Sequence, residues 1–367
     1  MEFRSRRDQA SLMTIVGWLL LSAPSDVASQ SIPEAIQSAR SIVERFRAEY
    51  DIPGISIAVA VHGEIVWEEE WGLADVEDGT PVGRGTRFRI GSVSKALTSA
   101  AVGLLYEEGR LDLDAPVQRY VPSFPEKEYP ITTRQLGGHT SGIPHYGRGD
   151  FANFVRYESV VAALDKFKDR ELLFVPGERY EYSSFGYNLI SAVVEGAARV
   201  PFVEYMDSAV FAPLGMELTV VDDYRRIIPG RTDFYELSEA GDLRHAPFTD
   251  NSDVWAGGGY LSTSSDLVRF GVGMLNGTLL SPETTDMMFT PTATSSGEPS
   301  PYGLGWRVST APGGIRVLGH GGSHFGARAQ LVLVPEHGVV FAMLANVSSA
   351  PLPDARDAIL PLFFSSN

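Results

Sequence analysis

The chain has 367 residues, no cysteine and a formal net charge of −16. The absence of thiols excludes disulfides, thiol nucleophiles and cysteine-ligated metals, so any nucleophile must be a hydroxyl, an amine or a carboxylate. The acidic balance argues against nucleic acid or an anionic membrane as a partner, because both attract positively charged surfaces.

The first 29 residues have the pattern of a secretory signal peptide. Arg4, Arg6 and Arg7 precede an apolar stretch over residues 11–23, and small residues follow up to Ser29. The apolar stretch is too short to span a bilayer comfortably. We expect cleavage after Ser29, a periplasmic or secreted protein and no stable membrane insertion, with an uncleaved anchor or a helical arm as the alternative.

Local patterns predict the first elements of the mature chain. Apolar residues at helical spacing over residues 33–50 predict an amphipathic helix. Residues 55–61 and 64–71 are rich in β-branched and aromatic side chains and predict a hairpin that turns at His62 and Gly63. An apolar run over residues 96–106 predicts a helix that ends near Gly109.

The rest of the chain changes character twice. From residue 112 to about 250, proline- and glycine-rich connections separate three helical patterns: residues 157–167, 187–198 and 202–211. A tight turn is predicted at residues 256–260, followed by a helix over 265–275 capped by Ser264 or Ser265. Four strand patterns then return: residues 303–308, 315–318, 327–335 and 339–345, the last two as a hairpin turning at 335–338.

Strands therefore lie near both ends of the chain and helices lie between them. This order predicts an α+β fold whose sheet combines residues 34–111 with residues 251–367. Residues 112–250 would form a helical insertion. We expect one domain over residues 30–367.

Ser92 and Lys95 stand one helical turn apart at the start of the helix predicted over residues 96–106. Arginine stays protonated in any protein environment, whereas a lysine loses its proton when it is buried or placed among other cations. A neutral lysine beside a serine hydroxyl is a general base next to a nucleophile. The pair alone is a weak signal, because a serine at a helix start commonly acts as a cap.

Three further segments strengthen this pattern. They are Tyr182-Ser183-Ser184, His320-Gly321-Gly322 on a predicted strand, and His139-Thr140-Ser141-Gly142. In this order and spacing, the chain resembles the serine β-lactamase and penicillin-binding protein superfamily over about residues 34–350. The nearest branches are class C β-lactamases, D,D-peptidases, family VIII carboxylesterases and mitochondrial β-lactamase-like proteins. The resemblance implies a β-lactamase/transpeptidase-like fold, with an antiparallel sheet flanked by helices and an inserted all-α subdomain.

The resemblance also implies roles for the first three residues of the site. Ser92 would attack a carbonyl carbon, and Lys95 would take the proton of its hydroxyl. Tyr182, as a phenolate or a hydrogen-bonded phenol, would pass that proton to the leaving group and later activate water. To act as a base it needs a lowered pKa, which we expect a neighbouring lysine cation to provide. The resulting acyl-enzyme needs no metal or other cofactor.

The strand motif supplies the other side of the implied site. His320 stands where the family has a lysine, and Gly322 would let the substrate lie close to the strand edge. The backbone N–H groups of Ser92 and Ser323 would form the oxyanion hole. His320 and His324 are four residues apart, but the glycines between them exclude a helical metal-binding pair, so no metal site is predicted.

Two departures from the family pattern bear on the substrate. Ser184 replaces the asparagine of the Tyr-x-Asn motif, and His320 replaces a permanent cation that would pair with a carboxylate. Both favour esters or other neutral acyl compounds over β-lactams. Tyr146 and Trp255 either line the pocket or pack in the core, and His139 is expected to hold a turn by hydrogen bonds.

The sequence therefore predicts a serine hydrolase that acts on ester or amide bonds of a small acyl compound or peptide. A carboxylesterase-like activity is the first choice, and β-lactamase and D,D- or D-amino-acid peptidase activities remain alternatives. The alternative from another class is a non-catalytic ligand-binding or scaffold protein on the same fold. The sequence indicates no oligomeric state.

Overall fold

The computed structural model describes residues 31–364 except Arg148 and Pro299. The predicted signal peptide and its cleavage site lie outside the described residues. Within the described part of the chain, no helix is long and apolar enough to cross a membrane.

The described residues form twelve strands and nine α-helices, connected by loops and short 3-10 turns. The strands are β1 (Gly54–Val61), β2 (Glu64–Asp75), β3 (Thr80–Pro81), β4 (Phe88–Arg89), β5 (Val220–Val221), β6 (Tyr235–Leu237), β7 (Leu243–His245), β8 (Tyr260–Ser262), β9 (Arg307–Thr310), β10 (Arg316–His324), β11 (Ala327–Val334) and β12 (Val339–Ala345). The helices are α1 (Ile32–Glu49), α2 (Ser94–Glu107), α3 (Thr133–Gly137), α4 (Ser184–Ala198), α5 (Phe202–Tyr205), α6 (Trp255–Gly258), α7 (Ser264–Leu275), α8 (Pro282–Phe289) and α9 (Leu352–Ile359).

The main sheet has seven antiparallel strands in the order β3-β2-β1-β12-β11-β10-β9. It joins the two ends of the chain, because β1 pairs directly with β12, with Ile55 opposite Ala345. The hairpin predicted between residues 55 and 71 is confirmed as β1 and β2. His62 and Gly63 turn it with φ values of 50° and 91°, as a tight two-residue hairpin loop requires.

Helices cover both faces of this sheet. Successive side chains of a strand point to opposite faces, so β1 contributes to two cores. Ile55, Ile57 and Val59 pack in the cluster that includes buried residues of α1 and α9. Ala58 and Ala60 belong to the cluster that includes α2, α4 and α7. The apolar run of β1 thus has one side facing the terminal helices and the other facing the helices that carry the site.

The segment from 112 to 250 is only partly as predicted. Helix α4 confirms the pattern over residues 187–198, and α5 continues as a π-helix over Met206–Phe211. The segment is not all-α, because it also contains β5, β6 and β7. The helix predicted over residues 157–167 is wrong: only a 3-10 turn forms at Ala162–Lys166. Side-chain hydroxyls compete for its backbone, since Tyr157 N–H donates to Ser252 and Ala162 N–H donates to Ser159.

The C-terminal part contains three further corrections. The tight turn predicted at residues 256–260 is instead the short helix α6, and β9 begins at Arg307 rather than at residue 303. The N-cap of α7 is Thr263, whose hydroxyl accepts from Asp266 N–H. Ser264 and Ser265 are unavailable as caps because their hydroxyls contact Ser56 and Glu68 on the sheet.

Candidate active site

The nucleophile turn connects β4 to α2 and lies against β10. Gly91 adopts φ of 49°, and a Cβ at this position would stand 2.7 Å from the backbone nitrogen of Ser323. A glycine is therefore required for this close approach. The contact places the backbone of Ser92 beside that of Ser323, the two residues predicted to form the oxyanion hole.

Lys95 is completely buried and lies within hydrogen-bonding distance of three oxygen atoms. Its Nζ is 3.1 Å from Ser92 Oγ, 3.1 Å from Ser184 Oγ and 2.6 Å from the carbonyl oxygen of Gly257. Burial holds the pKa of Lys95 well below its usual range, and the charge of Arg307 lowers it further. The amine is thus favoured in its neutral form beside the serine hydroxyl.

Two histidines hold the backbone around Tyr182. His139 Nδ1 accepts from Ser183 N–H, and His145 Nδ1 accepts from Ser184 N–H, each at 3.1 Å. Burial lowers the pKa of both imidazoles, which keeps these nitrogens available as acceptors. His139 therefore has the hydrogen-bonding arrangement expected of a structural histidine, and His145 shares its task.

The expected lowering of the pKa of Tyr182 is wrong. Burial raises this pKa to about 12, although hydrogen bonds with Ser92 and Ser184 and the charge of Arg307 act in the opposite direction. Burial also disfavours the ammonium form of Lys95, the cation that was expected to stabilise a phenolate. Tyr182 is therefore a phenol that donates a hydrogen bond, rather than a base.

His320 does not reach the substrate side of the site. Its Nε2 lies 2.7 Å from the hydroxyl of Tyr302, and its Nδ1 lies 2.7 Å from the carbonyl of Gly321. A carbonyl only accepts, so Nδ1 carries the proton and Nε2 accepts from Tyr302. Burial lowers the pKa of His320 to about 3, so the ring is neutral. With both nitrogens engaged, His320 positions its neighbours and is not itself placed for catalysis.

Gly322 is required by the packing of the fold. A Cβ on this residue would stand 1.9 Å from the carbonyl oxygen of Ile90, just ahead of the nucleophile turn. The glycine was expected to give the substrate access to the strand edge. Its observed contact instead lets β10 pack against the backbone that carries Ser92.

A cavity of about 170 Å³ opens beside Ser92. Among the predicted site residues, five line it: Ser92, Tyr146, Tyr182, Ser184 and Ser323. Trp255 does not belong to this lining. Its ring lies 5.4 Å below the guanidinium of Arg156, and the preceding residue Val254 faces the cavity instead.

Arg307 is a charged residue beside the site that the sequence analysis did not identify. Its guanidinium lies 5.6 Å from the ring centre of Tyr182 and 5.9 Å from that of Tyr302. It is the exposed first residue of β9, and its charge lowers the pKa of Lys95. No sequence signal marked it, because its role depends on the pairing of β9 with β10.

The described lining of the cavity contains no unpaired charge. Asp253 forms an ion pair with Lys166. Burial lowers the pKa of His324 to about 3 and also lowers that of His145, so both rings are neutral. Among the described residues, no group of three or more His, Cys, Asp or Glu side chains is arranged to hold a metal ion.

A model of the Beta-lactamase family matches residues 39–362. The chain belongs to the beta-lactamase family. It is 32% identical to the human serine beta-lactamase-like protein LACTB, mitochondrial, over 90% of this chain and 80% of that protein. Esterase EstB of Burkholderia gladioli is 32% identical over 54% of this chain and 55% of its own length. The octameric penicillin-binding protein homologue from Pyrococcus abyssi superposes with a TM-score of 0.79 at 27% identity, covering 89% of this chain and 76% of that chain.

Family membership establishes the coarse function and the fold. The chain is a serine hydrolase of the β-lactamase and penicillin-binding protein family. The predicted α+β, β-lactamase/transpeptidase-like fold, with its antiparallel sheet flanked by helices, is confirmed.

Proposed function

We propose that this serine hydrolase is a carboxylesterase-like enzyme that cleaves esters of uncharged acyl groups through an acyl-enzyme on Ser92. The observation that carries the proposal is the buried amine of Lys95, 3.1 Å from Ser92 Oγ. A neutral amine has two hydrogens and one lone pair. Gly257 O and Ser184 Oγ lie where they accept the two hydrogens, which leaves the lone pair for the proton of Ser92.

Acylation follows from this arrangement. Ser92 Oγ attacks the ester carbonyl carbon while its proton moves to Lys95 Nζ, and the carbonyl oxygen becomes an oxyanion. The backbone N–H groups of Ser92 and Ser323 stabilise that charge, and one such donor is typically worth about 10²–10³ in rate. Cleavage of the ester C–O bond then leaves the acyl group on Ser92 Oγ and releases an alkoxide.

The proton reaches the leaving group through Ser184 and Tyr182. Ser184 Oγ is 3.1 Å from Lys95 Nζ, and it also hydrogen bonds with the phenol of Tyr182. Lys95 gives its proton to Ser184 as Ser184 gives its own to Tyr182, and the phenol protonates the alkoxide. In deacylation, water attacks the acyl carbon and gives a proton to Tyr182 as Tyr182 gives its own to Ser184 and Ser184 gives its own to Lys95. Lys95 then returns a proton to Ser92 Oγ as the bond between the acyl carbon and Ser92 Oγ breaks and the carboxylic acid leaves.

The neutrality of the cavity supports an uncharged acyl group. A substrate with a charged acyl group would lose its hydration without gaining a partner there, which disfavours its binding. One observation favours amides or β-lactams with a carboxylate on the leaving group as a second candidate: the exposed guanidinium of Arg307 lies over the ring of Tyr182. It would pair with that carboxylate.

A substrate panel tests this choice. The purified protein is compared with its Ser92→Ala variant on p-nitrophenyl butyrate, a D-amino-acid p-nitroanilide and a chromogenic cephalosporin. We expect Ser92-dependent turnover with the highest kcat/KM on the butyrate. A higher kcat/KM on the cephalosporin, lost in Arg307→Gln, would favour the second candidate, and equal rates for the parent and Ser92→Ala would contradict both.

We also propose that the protein is exported and acts in the periplasm or outside the cell. The support is the N-terminal pattern of three arginines, an apolar stretch and small residues. N-terminal sequencing of protein recovered from the periplasm tests this, with Gln30 expected as the first residue. A chain that stays in the cytoplasm with its first 29 residues intact would contradict export.

A further inference from the structure

An unusual group of exposed aromatic side chains lies at the mouth of the cavity. Among the described residues, only three phenylalanines are exposed: Phe151, Phe154 and Phe248, at 44%, 71% and 52%. All three belong to the two segments that border the cavity, because Phe151 and Thr249 line it. A concentration of exposed apolar rings beside a binding cavity indicates contact with a ligand rather than chance exposure.

Phe154, Phe248 and Tyr224 pack on one another, and Phe151 lies three residues before Phe154 in the segment that lines the cavity. Phe154 stacks on Phe248 with ring centres 6.4 Å apart, and Tyr224, itself 47% exposed, meets Phe248 edge-on at 5.3 Å. Hydrogen bonds fix the two segments to each other, since Asn153 N–H donates to Thr249 and Asp250 N–H donates to Asn153. We call Phe151, Phe154, Tyr224 and Phe248 the aromatic ledge.

The ledge lies on the acyl side of the site. Phe151 has its ring 5.8 Å from that of His324 and 4.9 Å from that of Phe325, the residues that directly follow Ser323. The leaving group must instead face Tyr182, its proton donor. An acyl substituent on the same carbonyl carbon points away from Tyr182, and we assign it to the side of Phe151.

The size of the cavity separates short acyl groups from long ones. At about 170 Å³ it is smaller than the usual 300–1,000 Å³ of a pocket that encloses a drug-sized ligand. A short acyl group fits inside it, whereas a longer chain must leave through the mouth. The surface that such a chain meets on leaving is the aromatic ledge.

We propose that the aromatic ledge is an acyl-chain subsite, which makes this hydrolase selective for esters of medium- and long-chain aliphatic acids. The inference rests on the proposed acyl-enzyme at Ser92. Complete burial of one methylene favours binding about fourfold, so a chain lying half-buried on an open surface gains about twofold per methylene. Six additional methylenes would then raise kcat/KM by a factor of about 10–100.

The test compares p-nitrophenyl butyrate with p-nitrophenyl decanoate below their aggregation limits. The parent protein should favour the decanoate by about 10–100-fold in kcat/KM. Phe154→Ser combined with Phe248→Ser should reduce this ratio at least fivefold. Tyr129→Ser, which removes an exposed aromatic ring outside the ledge, should leave the ratio unchanged.

The outcomes separate this inference from the proposed function. Ser92-dependent hydrolysis of the butyrate with no preference for the decanoate would overturn the subsite and leave the esterase in place. A preference that survives the double substitution would also overturn it. Alkyl acetates carry the variable chain on the alcohol, which is the leaving group. A preference for long-chain alkyl acetates would place the ledge on the leaving-group side and contradict its assignment to the acyl chain. Butyrate hydrolysis that is unaffected by Ser92→Ala would contradict the proposed function itself.

Discussion

Replacing Lys95 by methionine should remove activity and change how stability depends on pH. The side chain keeps a similar length, but the general base is lost, which typically costs about 10²–10⁴ in rate. The pKa of Lys95 is depressed in the folded state, whereas the unfolded chain has the ordinary value of about 10.4. Below that value the unfolded state binds a proton that the folded state does not, so the parent protein loses stability as the pH falls.

The size of this effect follows from the linkage between protonation and folding. While Lys95 is neutral in the folded state, the penalty grows by about 1.4 kcal/mol for each pH unit below about 10.4. The methionine variant escapes this penalty but leaves the carbonyl of Gly257 unpaired, at a cost of about 1–3 kcal/mol. The unpaired carbonyl does not titrate. The stability of the variant relative to the parent should therefore be about 1.4 kcal/mol more favourable at pH 8 than at pH 9.

Urea unfolding of both proteins at pH 8 and pH 9, followed by circular dichroism, measures this difference. Thr98→Val is the matched control. Thr98 lies in α2, as Lys95 does, and its hydroxyl donates a buried hydrogen bond to the carbonyl of Ala256 in α6, so the substitution removes a hydrogen bond without removing a titratable group. Its effect should be the same at both pH values. A pH-independent effect of Lys95→Met would mean that the folded protein keeps Lys95 protonated, and would refute the neutral-base mechanism.

Three other substitutions give separate tests. Tyr182→Phe should lower kcat/KM, which reports acylation, more for ethyl butyrate than for p-nitrophenyl butyrate, because p-nitrophenolate leaves without a proton; equal losses of kcat/KM would contradict the relay. Arg307→Gln removes a charge that lowers the pKa of Lys95, so the acid limb of the kcat/KM–pH profile should move to higher pH, and an unmoved limb would contradict this coupling. Gly322→Ala should destabilise the fold by about 1–3 kcal/mol in urea unfolding, since its Cβ would meet a backbone oxygen at 1.9 Å. Gly83→Ala, with open space around it, should cost little, and equal losses at the two glycines would contradict the packing argument.

Local sequence signals predicted the elements that depend on local physics. The hairpin of β1 and β2 followed from β-branched residues around His62 and Gly63, and α1 followed from apolar residues at helical spacing. Both elements also pack their apolar residues in the core, so periodicity and burial agree. The longest error, the helix predicted over residues 157–167, occurred where side chains from distant residues bind the backbone.

The sequence predicted which residues form the candidate site but not their protonation. Motif spacing brought Ser92, Lys95 and Tyr182 to attention, and the fold places them together. Their protonation depends on burial, which a motif does not express: burial disfavours the lysine cation that was expected to lower the pKa of Tyr182, and it raises the pKa of Tyr182 itself. His320 was assigned to the substrate side because it stands where the family's strand motif has a lysine, and the motif does not show that Tyr302, eighteen residues away, binds its ring. Arg307 was missed because only the pairing of strands brings it near the site.

The central claim is that Ser92 is the nucleophile activated by Lys95. Intact-mass spectrometry of the protein after treatment with a fluorophosphonate, followed by peptide mapping, tests this most directly. We expect one stoichiometric adduct on Ser92, no adduct in Ser92→Ala and strongly slowed labelling in Lys95→Met. No adduct on the parent protein, or an adduct that persists in Ser92→Ala, would contradict it.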